Sequence, residues 1–514
     1  MWRFRSAITD GLLLAAATIC VLWMCAPAHG QRNAGKSQAV VITGARVADG
    51  TGAALRDMNV RLVGERITRV GRFRPGAQDT VIDATGLVLA PGFIDTHNHS
   101  TEGLEAQPEA ASQVSQGITT ALLGQDGGSP WPVAEYLKRR RENPPALNFQ
   151  MLVGHATVRR QVMGEDFRRA ATPEEIRRMA ALVEQAMQEG AVGLSSGLEY
   201  EVGSYSATEE VIALARVAAR HKGFYISHIR DEADRTLEAV AEAIRIGREA
   251  RLPAQITHIK LGTVAVWGKA ADVVRRVEQA RRAGQDVTAD CYPYEAWAST
   301  ITVLVPNKKY DDPASVQRAL DDVGGAANVT IVRHAAHPDY EFRNLEEIAR
   351  SKGISTVELF IQIVKDGGAG VVCKSMVEAD IRTFYTQPWV MVSSDGGIGM
   401  PHPRGAGTYP RVLGRFVRRK KWLALEEAIR KMTSLPASRL RLRDRGVIRK
   451  GAFADLVLFN PETVLDNSTF SKPSELSTGI EKVWVNGSLV WTDGKTTDAR
   501  PGRALVPASW QNKY

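Results

Sequence analysis

From residue 91 to about residue 430 the chain alternates short apolar runs with amphipathic stretches of helical pattern. No other feature constrains the fold as much. Consecutive parallel strands need a crossover of a dozen residues or more, and a helix supplies it. The apolar runs predict strands over 92–97, 118–124, 147–154, 191–195, 224–228, 255–259, 286–291 and 390–394, with helices between most of them. One helix, 208–222, opens on Glu209 and Glu210 and stops before Gly223, as cap and dipole preferences ask. Another, 231–251, stops before Pro253. Eight strands alternating with helices predict an α/β fold, a (β/α)₈ TIM-type barrel. The connection over 295–389 is too long for a plain loop and predicts an insertion with helices of its own.

The flanks read differently. "AVVITGARVADG", "NVRLVGERITRVG" and "TVIDATGLVLAP" precede the barrel; "GVIRKGAFADLVLFN" and "IEKVWVNGSLVWTDG" follow it. Their alternation and Gly/Asp punctuation predict short strands. The expected division is a small β domain built from both flanks, 31–90 and 431–514, interrupted by the barrel over 91–430. A length of 514 residues suits this pairing of a large barrel and a smaller domain.

Residues 1–30 stand apart. Arg3 and Arg5 precede "GLLLAAATICVLWMCAPA", and Ala26-Pro27-Ala28 offers a small-residue cleavage site. The pattern is that of a secretory signal peptide, with an uncleaved anchor as the alternative. A linker over 31–37 follows. After cleavage no membrane span remains, and the expected location is the bacterial periplasm or the exterior. Cys291 and Cys373 are then the remaining cysteines, too few for a disulfide framework. The net charge is +9, but the basic residues are scattered. The clusters Arg139-Arg140-Arg141 and Arg418-Arg419-Lys420-Lys421 fall in helix-like stretches and read as solvated faces, so no nucleic-acid partner is expected. The sequence leaves the oligomeric state open.

A barrel of this kind does its chemistry at the C-terminal ends of its strands. Five of the ten histidines, His97, His99, His155, His228 and His258, fall at predicted strand ends. Asp126 follows the second strand and Asp395 the eighth. Alternation places His97 and His99 on one side and Asn98 on the other. Each residue alone has a structural explanation, a core histidine or a capping aspartate. Together the imidazoles and carboxylates make a donor set suited to zinc or a similar divalent ion.

These residues carry a resemblance. "GFIDTHNH", a histidine after the fifth and sixth strands, "SSDG" at the eighth and "GVIRKGAFADLVLF" resemble the amidohydrolase superfamily. "YISHIRDE", "THIK", "DCYPY", "SSDGG" followed by "HPR", and "YPRVLGRF" are similar to the N-acyl-D-amino-acid deacylases, from about residue 38 to 505. The resemblance implies that His97, His99, His228 and His258 bind one or two zinc ions, with Asp395 as ligand or general base. It implies that Lys260 and Arg404 hold the substrate's α-carboxylate, and that Tyr200, Tyr292 and Ser299 contact substrate. Trp297 reads as an extra residue in that last loop. One departure stands out. The family has a cysteine after the second strand, where this chain has Asp126 in "GQDG". A carboxylate can bridge two metals as a thiolate can, but it is a harder ligand. The fourth strand ends "GLSSG" with no lysine, which argues against the cyclic-imidase branch.

The expected activity is hydrolysis of N-acyl-D-amino acids, small molecules with a free carboxylate, to a carboxylic acid and a D-amino acid. Asp395 would accept the proton of the attacking water and protonate the leaving amine. Tyr200 or His155 would support the oxyanion, and His155 could instead orient a ligand. Cys291 reads as small and buried. The alternatives are a dipeptidase for C-terminal D-residues and a non-catalytic binding protein.

Overall fold

The computed structural model describes residues 39–507. The expected signal peptide and linker, 1–37, lie outside the described residues. Eight parallel strands form the barrel: β1 Phe93–Asp95, β2 Ile118–Leu123, β3 Asn148–Met151 resuming as Val153–Gly154, β4 Gly193–Gly197, β5 Phe224–His228, β6 Ala254–Ile256, β7 Val287–Cys291 and β8 Val390–Val392. Each pairs in parallel with the next. A parallel bridge between Asn98 and Gly396 closes the ring. There the His99 N–H donates to the Gly396 carbonyl at 2.7 Å and the Asp395 N–H to the His97 carbonyl at 2.9 Å. The Tyr409 hydroxyl spans the same seam, within reach of the carbonyls of Ile94 (3.1 Å) and Val392 (3.2 Å).

Every residue of these strands is buried, because helices cover the outside while side chains fill the inside. Ile94, Leu122, Leu152, Val192, Phe224 and Ile226 pack with Ala437 and Leu440, which plug the N-terminal end of the barrel. The other end stays open for the site.

The two flanks form one β domain. Val88–Pro91 lies between Leu456–Phe459 and Arg46–Val47 in a seven-stranded sheet. It runs antiparallel to Leu456–Phe459, with Leu456 opposite Pro91. A four-stranded sheet, ordered Arg66–Gly71, Asn59–Val63, Val40–Thr43, Thr80–Asp83, packs with it through Val47, Leu62, Ile67, Leu89, Leu458 and Trp484.

Two differences from the sequence reading have local causes. The helix expected over 231–251 starts only at Thr236. The Asp231 carboxylate accepts the N–H groups of Ala233 (2.8 Å) and Arg235 (3.0 Å) and holds the preceding residues in a turn. The connection between β7 and β8 carries the expected helices, Pro313–Asp322, Leu345–Lys352 and Thr356–Lys365. It also carries an antiparallel sheet of Trp297–Thr300, Gly370–Cys373 and Val329–Arg333, with Gly370–Cys373 in the middle. Ile301, Val316, Leu320, Ile331, Leu359 and Phe360 give this insertion a core of its own. Among the described residues no helix is long and apolar enough to cross a membrane.

Candidate metal centre

The histidines after β1 are not on the strand, which ends at Asp95. A buried carboxylate aims them instead. Asp95 Oδ1 accepts the N–H of Ser394 (2.9 Å) and of His97 (3.3 Å). Its Oδ2 accepts the Asn98 amide (2.8 Å) and the Ser394 hydroxyl. This clamp ties the turns after β1 and β8 and turns Asn98 away from the centre. Burial pushes the Asp95 carboxyl up, against the pull of its hydrogen bonds. Asp290 on β7 does the same for the turn after β6: it accepts the His258 N–H (2.9 Å), the Gln255 amide (2.6 Å) and the Ser393 hydroxyl. That turn begins beyond Ile256, so strand alternation does not aim Lys260. Its ammonium nonetheless reaches His258 Nδ1 at 2.7 Å.

Asp126 (φ 54°), His258 (φ 32°) and Asp395 (φ 48°) all hold left-handed backbone. Such conformations cost non-glycine residues about 1–3 kcal/mol each and gather where function needs them. The turn that presents Asp126 depends on glycine. A Cβ on Gly154 would lie 2.2 Å from the Gly127 carbonyl oxygen, so β3 approaches that turn only without a side chain.

The donors converge. His97 Nε2 lies 3.1 Å from His99 Nε2, 3.4 Å from Asp126 Oδ1 and 3.3 Å from Asp395 Oδ1. His99 Nε2 lies 3.1 Å from Asp395 Oδ1 and 3.5 Å from Asp126 Oδ2. His258 Nε2 is 3.9 Å from Asp126 Oδ1 and 3.0 Å from His228 Nδ1. Ligand atoms of His97, Asp126, His258 and Asp395 all lie within 4.8 Å of one another, as do those of His228, Glu232 and His258. Asp126 Oδ1 is buried and, among the described residues, has no hydrogen bond. Nitrogen and oxygen donors so placed fit a divalent ion such as zinc.

Charge in this cluster is strongly coupled. Burial opposes ionisation of Asp395, but Arg404, His258 and His97 outweigh it and hold the carboxyl well below the usual range. Arg404 Nη1 sits 2.7 Å from Asp395 Oδ2. Asp126 is likewise held low, against burial, by His97, His99 and His258. Burial disfavours the His97 imidazolium, yet the charges of Asp126 and Asp395 push its pKa up to about 9.

A cavity of about 330 Å³ opens over the cluster, lined among others by His99, Asp126, His228, His258, Lys260, Asp395 and Arg404. Tyr200 and Ser299 line it too, Ser299 from the inserted sheet. The Tyr200 ring lies 4.4 Å from that of His228. Tyr292 is buried behind the wall, its ring 4.9 Å from the Arg404 guanidinium and 5.8 Å from the Lys260 ammonium. The expected substrate contact at His155 is corrected. The ring is fully buried outside the cavity lining, and its Nε2 faces Glu210 at 2.8 Å, a carboxylate shared with Arg159. Helix Thr208–Arg220 supplies Glu210, a tertiary contact that strand patterns do not reveal.

Two carboxylates escaped the sequence reading. Glu199 Oε2 lies 2.7 Å from His228 Nε2. Glu232 Oε1 lies 2.6 Å from Lys260 Nζ and 3.0 Å from His258 Nδ1. Glu199 stands beside Tyr200, and Glu232 closes the motif "YISHIRDE"; those neighbours were their only signal.

Residues 80–491 match the model of the amidohydrolase family. The chain is 35% identical to a D-aminoacylase of Alcaligenes xylosoxydans xylosoxydans, covering 91% of this chain and 97% of the relative. It is 36% identical to an N-acyl-D-aspartate deacylase of the same organism, covering 91% and 95%. The crystal structure of an N-acyl-D-glutamate deacylase from Bordetella bronchiseptica, complexed with zinc and a phosphonate inhibitor that mimics the tetrahedral intermediate, superposes with a TM-score of 0.83. The identity there is 32%, over 92% of this chain and 100% of that one. The chain belongs to the amidohydrolase family, on the branch of the D-aminoacylases and N-acyl-D-amino-acid deacylases.

Proposed function

We propose that the protein is a zinc-dependent hydrolase of N-acyl-D-amino acids. The observation that carries this reading is one cavity holding convergent imidazole and carboxylate donors, an ionised Asp395 and two cations, Lys260 and Arg404. The relatives' activities and the zinc of the Bordetella enzyme support it. His97, Asp126, His228, His258 and Asp395, with His99 beside them at 3.1 Å from Asp395 Oδ1, would hold one or two ions. When bound, zinc supplies Lewis-acid chemistry, polarising the amide carbonyl and acidifying water.

The chain's own groups do the rest. Asp395 takes the proton of the attacking water and delivers it to the amine nitrogen as the C–N bond breaks. Arg404 Nη1 is ion-paired with Asp395 Oδ2 at 2.7 Å, but neither Nη1 nor the buried Nε makes a hydrogen bond among the described residues. That leaves donor capacity for the substrate carboxylate, so one guanidinium aligns base and substrate. Lys260, propped by Glu232, adds a second positive charge on the same wall.

The test is an assay of matched N-acetyl-D- and N-acetyl-L-amino acids and of dipeptides ending in a D-residue, with and without chelator, and with metal analysis of the same sample. The expected result is D-selective release of acetate that chelator abolishes and zinc restores. Chelator-insensitive inactivity across the panel would overturn the reading in favour of a binding protein. Dipeptide cleavage in place of deacetylation would make it a dipeptidase. We further infer export, from Arg3, Arg5 and the apolar run before Ala26-Pro27-Ala28. N-terminal sequencing of the protein from a bacterial periplasm should begin beyond residue 28; a start at Met1 would refute it.

A further inference from the structure

We infer that Glu199 is the positioning residue of His228, fixing which ring nitrogen faces the centre. The inference rests on the metal-dependent reading above. His228 Nε2 lies 2.7 Å from Glu199 Oε2. With that edge of the ring held, the opposite nitrogen, Nδ1, is the one turned to the centre. It faces His258 Nε2, 3.0 Å away, in the group that includes Glu232.

Glu199 is built for this role. It sits in the turn after β4, and its other oxygen accepts the Glu232 N–H at 3.2 Å, so both carboxylate oxygens are fixed. Tyr200, the next residue, lies along the His228 ring and limits its rotation. Glu232 does not substitute. Its Oε2 is 3.8 Å from His228 Nε2, beyond a hydrogen bond, and its Oε1 is engaged by Lys260 and His258. The other two buried imidazoles of the centre, His97 and His258, lack such an unambiguous partner. His97 Nδ1 is buried with no hydrogen bond among the described residues, and His258 Nδ1 has both a carboxylate and an ammonium beside it. A carboxylate behind a ligating histidine orients the ring and raises its basicity, and its loss typically weakens metal binding about 10–100-fold.

The experiment measures zinc affinity by competition with a chromophoric chelator for the wild type, Glu199→Gln and Glu199→Leu. Circular dichroism checks the fold of each, and cobalt absorption provides a second readout of ligand geometry. The nearly isosteric Gln retains an acceptor oxygen without the charge; Leu removes both. The expected order of affinity is wild type, then Gln, then Leu, with the Leu variant weaker by roughly 10–100-fold and an altered cobalt spectrum. Folded Leu and Gln variants that hold zinc as tightly as the wild type would overturn the role of Glu199 while leaving the deacylase reading intact. A wild type that binds no zinc would instead sink the reading beneath it.

Discussion

The two ends of the barrel handle charge in opposite ways. At the N-terminal end, Lys431 is buried and gives its ammonium to the carbonyls of Gln387 and of Val390 (2.9 Å). Arg439 there donates to the Thr288 hydroxyl (3.0 Å) and to Asp286 (2.6 Å). At the C-terminal end, Asp126 Oδ1, His97 Nδ1 and Arg404 Nε are buried without hydrogen bonds among the described residues. Asp126 itself, with His258 and Asp395 beside it, holds left-handed backbone. Buried polar groups are almost always paired. The N-terminal end leaves a few amide and hydroxyl atoms open, Gln150 Oε1 beside Leu440 among them. At the C-terminal end the open atoms belong to the site's own ionisable side chains, and that reserves it for something else. One end is organised for stability and the other for chemistry, as this architecture favours. Substitutions should separate along the same line.

The largest separation is expected at Asp395. Asp395→Asn keeps the shape and tolerates the left-handed backbone, but it cannot take a proton from water. Steady-state kinetics should show kcat/KM lower by about 10²–10⁴-fold, the usual worth of a general acid–base group. The thermal unfolding temperature should fall somewhat yet the transition stay cooperative, because Asn leaves the buried Arg404 guanidinium without the carboxylate it faces at 2.7 Å. Unfolding that collapses along with the rate would break the comparison.

At the other end the expected effect is on stability alone, and it depends on pH. Burial lowers the Lys431 pKa to about 8 from 10.5, despite the nearby Glu427. Between those values the unfolded chain binds more protons than the folded one, so stability from this group rises with pH across the window. Below about pH 8 both states are protonated and the full cost of the buried charge is felt. Lys431→Met removes this dependence. Denaturant unfolding at pH 7.5 to 9.5 should show the wild type gaining on the variant by at most about 1.4 kcal/mol per pH unit. Deacylation rates should stay alike. Parallel stability curves would show that Lys431 titrates normally; a fall in rate would show that the barrel ends are not independent.

Much of this division was legible in the sequence, for a physical reason. Strands buried on both faces read as unbroken apolar runs, so the polar residues that end them, His97, His228 and Asp395, stand out against what precedes them. The two flanks could be assigned to one β domain because both carry short strand patterns, but the antiparallel pairing of Val88–Pro91 with Leu456–Phe459 is seen only in the fold. The inserted sheet was not legible. Trp297–Thr300 is only partly buried along its length and carries no alternation. Glu199 and Glu232 were not legible as site residues either, because a glutamate in a loop is usually solvated and only the fold brings these two against histidines. His155 failed in the opposite sense. It stands at a strand end as the others do, but Glu210, from a helix more than fifty residues on, draws it out of the cavity.

Tyr292 tests where the boundary between the two ends runs, with the smallest expected effect. By resemblance it contacts substrate. The structure places its hydroxyl 3.6 Å from Met376 Sδ and its ring behind Arg404 and Lys260. An aromatic face beside a buried cation contributes about 0.5–2 kcal/mol, whereas a hydroxyl facing thioether sulfur contributes little. Tyr292→Phe keeps the face, so its kcat/KM should stay within about threefold of the wild type. Tyr292→Leu removes the face and should raise KM by roughly 3–30-fold, the same energy range expressed as a binding ratio. A Phe variant as impaired as the Leu variant would mean that the hydroxyl reaches substrate after all. The chemical end of the barrel would then extend one layer deeper than the cations that line the cavity.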